Sequence, residues 1–140
     1  CIYADYYPDT FGRIENGRFV PAEKSEKVQI PEFCFIWPPE EKRKYSVIIM
    51  PDNSMAPSIN DKDKIIVRHA VYNEFITDNN IYAFIYENKL LIRRLFYNME
   101  EITAKCDNIS FPEQIIPKNK IENFFIIGQI TGFMQGFKRV

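Results

Sequence analysis

The sequence predicts a mostly β domain of antiparallel strands. Short runs of β-branched and aromatic residues recur about every ten residues, the spacing of an all-β sandwich or barrel-like fold. Turn-forming Asn, Asp, Gly and Pro separate these runs. No stretch long enough for an ordinary helix keeps a helical apolar period.

Residues 1–45 read as irregular. Tyr6-Tyr7-Pro8-Asp9 and Glu15-Asn16-Gly17 are turn signals, and Pro31 and Pro38-Pro39 are breaks. Only Lys27 to Ile30 alternates like a short strand, and the mixed charges of Glu40 to Lys44 suit a solvated loop. From Tyr45 the pattern sharpens. Ser46 to Met50 is a buried strand, Pro51 breaks it, and Ser54 to Ile59 forms a tight turn or one helical turn. Lys64 to Val67 is the next strand. Ile81 to Tyr86, a turn at Glu87-Asn88 and Lys89 to Leu95 make a hairpin. Ile102 to Cys106 and Gln114 to Ile116 are short strands. Phe124 to Phe133 closes the domain, with Gly128 and Gly132 marking bends or bulges.

The chain has 140 residues, enough for one domain. Its 18 Lys+Arg against 19 Asp+Glu exclude a dedicated basic nucleic-acid surface, though not a local basic patch. No apolar run is long enough for a membrane helix, and no signal peptide opens the chain. The chain does not begin with Met, so sequence upstream of Cys1 is expected. Cys1, Cys34 and Cys106 are odd in number and without a Cys-x-x-Cys pair. That pattern suits reduced thiols in a cytoplasmic protein better than a disulfide framework or a zinc site.

Several side chains bear on function. Ser54 reads first as a helix cap whose hydroxyl accepts a backbone N–H, since nothing adjacent supplies a base. Alternation points Arg93 and Arg94 to opposite faces, and Arg93 shares its face with Leu91 and Leu95. A buried guanidinium there calls for a carboxylate partner. His69, the one histidine, rules out a two-histidine metal site and reads as a surface residue. Trp37, Phe33 and Phe35 read as core packing, or else as a ligand platform. There is no glycine-rich phosphate loop, no helix-turn-helix and no sign of a cofactor or metal site.

Read together, the segments resemble the S24 peptidases, the self-cleaving C-terminal domains of SOS and phage-type repressors. SVIIMPDNSMAPSINDKDKIIVRHA resembles the family's nucleophile segment, with Asp52-Asn53 in place of Gly-Asp and with Ser54-Met55, Pro57 and Ile59 kept. NNIYAFIYENKLLIRRLFY resembles the paired strands that carry Val-Lys-Arg-Leu. ITAKCDNISFPEQII resembles the Ser-Asp-Asn segment, and ENFFIIGQITGF the closing strand. The resemblance runs in order over residues 45–135. It implies Ser54 as nucleophile and puts the family's base lysine at Arg93. Arginine stays protonated in proteins and cannot take the serine proton. Self-cleavage would then need another base, such as a neighbouring lysine, Lys64 or Lys89, or a register in which Arg93 is not the matching residue. The family cuts itself at Ala-Gly or Cys-Gly. If Phe11-Gly12 marks the stretch after the cut, the bond falls near Asp9-Thr10, which does not fit.

The resemblance divides the chain into a diverged segment, 1–44, a linker and former cleavage region partly packed on the domain, and an S24-like β domain, 45–140. An upstream helix-turn-helix domain would bind DNA. The implied role is the oligomerisation and regulatory domain of a phage-repressor-type regulator, unable to cut itself. The alternatives are an active self-cleaving serine peptidase, which would answer to a RecA-type filament, and a module that binds a peptide or ligand in the old cleft. A homodimer is expected, with no membrane partner. The closing strand and the tail Gln135 to Val140 are the candidate interface, because exposed β edges invite pairing.

Overall fold

The structure, a computed structural model, describes residues 2–16, 18–71, 74–134 and 138–139. Strands β5 (Tyr45–Ile49) and β6 (Lys64–His69) show how the sequence sorts itself into faces. Ile48, Ile65 and Val67 enter one apolar cluster, while Val47 and Ile66 enter another. In β7 (Asn80–Tyr86), Ala83 and Ile85 join the first cluster, and Tyr82, Phe84 and Tyr86 a third. Period-two alternation therefore covers both faces of the central strands.

These strands belong to one ten-stranded sheet, in the order β10-β9-β8-β7-β11-β6-β5-β1-β4-β12. The remaining members are β1 (Ile2–Tyr7), β4 (Glu26–Ile30), β8 (Lys89–Tyr97), β9 (Glu101–Lys105), β10 (Gln114–Pro117), β11 (Phe124–Met134) and β12 (Lys138–Arg139). Pairing is antiparallel except between β1 and β5. The hairpin β2 (Gly12–Glu15) and β3 (Arg18–Pro21) forms a separate two-stranded sheet, closed by Ala22 N–H to the Phe11 carbonyl at 2.9 Å. The expected mostly β, antiparallel-dominated class is what the molecule shows. Among the described residues no helix is long and apolar enough to cross a membrane.

The hairpin β7–β8 turns at Glu87 and Asn88, with φ of 50° and 66°. This left-handed pair matches the strand twist. The strand β11 shifts register next to Gly128 and Gly132, as its glycines forecast. Each lies so close to a neighbour that a Cβ would collide with backbone: the Arg68 carbonyl at Gly128, the Cys34 carbonyl at Gly132.

Three expectations change. The segment before Tyr45 is not irregular, since it supplies β1 to β4. Tyr6 and Tyr7 are buried strand residues, and only Pro8-Asp9 bend. The closing strand offers no free edge, because β11 pairs with β6 on one side and β7 on the other. The ends of the sheet are β10 and β12. Of the proposed tail interface, Gln135 to Phe137 and Val140 lie outside the described residues, and Lys138–Arg139 pair with β4. Finally, the aromatic group near Trp37 is not core. Phe33 is 83% and Trp37 44% exposed, and only Phe35 packs, against Tyr45 at 5.2 Å.

Candidate functional site

After β5 the chain leaves the sheet at Pro51 and returns at Lys64. Met50 N–H to the Asp63 carbonyl (2.8 Å) and Lys62 N–H to the Met50 carbonyl (2.9 Å) close the neck of this excursion. Inside it, Asp52 Oδ1 accepts the Ser54 N–H at 3.0 Å, and Asn53 Oδ1 accepts the Asp61 N–H at 3.0 Å. Ile59 N–H reaches the Met55 carbonyl at 2.9 Å and closes a tight turn that contains the cis Ala56-Pro57 bond, not a turn of helix. Met55 and Ile59 are fully buried and seat the turn on the central cluster. Asp52, not Ser54, is therefore the capping residue. The Ser54 side chain is left for another partner.

That partner is Arg93. Its Nη1 donates to Ser54 Oγ at 2.9 Å and to the Ile92 carbonyl at 2.9 Å. Ser54 is fully buried. Arg93 stands on β8 opposite Tyr82 of β7, and it also lies against the Cys106 thiol. Burial pushes that thiol above its ordinary pKa, so it is neutral near pH 7.

The loop after β9 staples the Ser54 turn from the other side. Asn108 N–H donates to the Ser54 carbonyl at 3.1 Å, and Asn108 Nδ2 to the Asn53 carbonyl at 3.0 Å. Asp107 N–H points at Met55 Sδ, 3.5 Å away. The Asp107 carboxylate takes a two-pronged contact from Arg94, Nε to Oδ1 at 2.9 Å and Nη2 to Oδ2 at 2.7 Å. Ser58 Oγ donates to Oδ2 as well, at 2.6 Å. The Arg94 hydrogen bonds hold Asp107 below the usual carboxylate range. The carboxylate partner expected for an arginine on this strand thus belongs to Arg94, while Arg93 faces the serine. Arg93 reaches the turn directly, and Arg94 reaches it through Asp107, which Ser58 also holds. In the sequence Asp107 and Asn108 read as a turn within the segment that resembles the family's Ser-Asp-Asn, with no role assigned to either. An Asx pair directly after a strand is capping chemistry, and that was the available signal.

The geometry sets what Ser54 can do. A guanidinium donates a hydrogen bond and accepts no proton, so Arg93 orients the hydroxyl but cannot deprotonate it. The lysines weighed as substitutes are elsewhere. Lys64 Nζ sits 5.6 Å from the Tyr6 ring centroid. Lys89 is exposed and lies four residues before Arg93, about 13 Å along the strand. His69 is no surface residue. It is half-buried, and its Nε2 lies 2.6 Å from Ser46 Oγ. Among the described residues no three His, Cys, Asp or Glu side chains gather where a metal ion would sit.

The family model Peptidase S24-like matches residues 10–131, a span that includes Ser54, Arg93 and Asp107. The chain belongs to this family. No curated protein matches it. The S24-like domain therefore keeps a serine in a capped, buried turn and sets an arginine against it.

Proposed function

We propose that this S24-like domain is the regulatory and oligomerisation half of a phage-repressor-type transcriptional regulator, and that it does not cut its own chain. One observation carries the second half: the group donating to Ser54 Oγ, 2.9 Å away, is the permanently charged guanidinium of Arg93. Loss of a general base removes several powers of ten in rate. The poor fit of Asp9-Thr10 to the family's scissile bond supports the same reading. In this proposal the domain works in the cytoplasm as a homodimer. DNA is bound by a helix-turn-helix domain of the same regulator.

The intact turn around Ser54 favours one further point, that the scaffold is disabled at a single position. Intact mass, followed from neutral pH to about pH 10 where a buried lysine sheds its proton, tests both. Wild type is expected to stay whole. Arg93→Lys is expected to release an N-terminal piece, and adding Ser54→Ala to abolish that release. Cleavage of wild type that Ser54→Ala removes would overturn the proposal and leave an active self-cleaving peptidase. An uncut Arg93→Lys would overturn the single-position reading.

A further inference from the structure

A second serine is buried in this domain. Ser46 lies fully buried on β5, and its hydroxyl meets the imidazole of His69, at the end of β6, across 2.6 Å. Phe11 also meets that imidazole, its ring nearly edge-on with centroids 5.9 Å apart. Phe11 in turn packs on Tyr7 at 5.2 Å and on Phe19 at 5.0 Å. Phe19 belongs to β3, so an aromatic stack runs from the hairpin β2–β3 to His69.

This stack matters because, among the described residues, it is the hairpin's apolar seat on the domain. The hairpin makes no ladder to the ten-stranded sheet. It meets the central cluster through Phe11, Phe19 and Ala22. A two-stranded hairpin is marginal on its own in water, so its docking depends on these contacts.

The charged groups around His69 are largely committed to one another. Arg43 donates from Nη2 to the His69 carbonyl at 2.8 Å, and Lys44 accepts the His69 N–H on its carbonyl at 2.9 Å. Both cations precede β5. From β1 comes Asp5, already paired with Lys27 at 2.7 Å. Arg68 is next in the chain. It and Arg43 share Glu74 (3.4 and 2.6 Å) and Glu40 (3.9 and 3.4 Å). Gly128, opposite His69 on β11, brings no charge. A protonated imidazole would be partly desolvated, beside acids that already have partners.

We propose that His69 is an acid-sensitive latch for the β2–β3 hairpin: neutral, it seats the Phe11 stack, and protonated, it lets the hairpin leave while the main sheet persists. The cluster uncovered by that release also holds Met50, Met55 and Ile59, the floor of the Ser54 turn. The latch is independent of whether Ser54 has any chemistry.

Hydrogen exchange by mass spectrometry, on the whole chain from pH 7 to 3.5 and corrected for intrinsic rate, tests it. Protection of the hairpin is expected to fall at least about tenfold, with β7 and β8 still protected. The midpoint should lie near the pKa of His69, which burial lowers to about 4. His69→Gln should keep the hairpin docked at the same acid pH. Simultaneous loss of β7–β8 and hairpin protection would overturn the latch, as would an unchanged midpoint in His69→Gln. Should that variant fail to fold, the single imidazole of wild type can be titrated by NMR. A midpoint shared with hairpin release supports the latch, and a different one overturns it.

Discussion

Ser46 and Ser54 are both fully buried, on either side of Met50, and they are built in opposite ways. Ser46 sits in mid-sheet, paired with Asp5 on one side and Val67 on the other. It has an imidazole at its hydroxyl but no turn to present it to a substrate. Ser54 has the turn, the cap from Asp52 and the staple from Asn108, but a guanidinium at its hydroxyl. Nucleophilic chemistry needs the architecture and the base at one place. Here the molecule holds each at a different serine.

The contrast can be sharpened by stability measurements. The largest effect belongs to acid at the Ser46 end. The pKa of His69 falls from 6.5 to about 4 on folding, mainly through burial. The unfolded chain then binds a proton that the folded one refuses, so this contribution is whole above pH 6.5 and is lost as pH falls towards 4. Up to about 3 kcal/mol is at stake. Urea midpoints at pH 7 and pH 4 should differ by more in wild type than in His69→Gln.

Next comes the clamp at the Ser54 end. Arg94→Ala strands Asp107 without its fork, and we expect about 2 kcal/mol lost in urea unfolding. Arg94→Lys should recover only part, because one ammonium cannot supply both prongs. Ser46→Ala leaves His69 Nε2 without its partner and should cost roughly 1.5 kcal/mol. The smallest effect is Ser54→Ala, below about 1 kcal/mol, because Arg93 Nη1 keeps the Ile92 carbonyl. A Ser54→Ala loss larger than that of Ser46→Ala would break the comparison, since it would make Ser54 the more structural of the two.

From Tyr45 onward the strands were legible, because alternation and turn residues agree there. Gly128 and Gly132 inside a long apolar run even marked the register shifts of β11. The first 44 residues hid their strands. In β1, Asp5 and the Tyr-Tyr-Pro sequence look like a turn, although Ala4, Tyr6 and Tyr7 are buried. The Ser54–Arg93 contact was legible through family resemblance alone, since the two residues lie on elements that only pairing brings together. The cap was misassigned because Asp52 and Ser54 can both accept an N–H, and only geometry chooses. The Ser46–His69 contact depends on the register of β5 against β6, for which no local signal exists. Phe33 and Trp37 show that aromatic residues do not always mark a core.

The central place of β11 has a consequence for how the chain is made. This strand comes after β1 to β10 in the sequence, yet it is the one that lies between β6 and β7 in the sheet. Until it emerges from the ribosome, β1, β4, β5 and β6 form one partial sheet and β7 to β10 another, each with a raw inner edge. Such edges recruit the wrong strands. The sheet can thus close only after β1 to β10 have been synthesised. A stop codon just before Phe124 would leave two sticky halves.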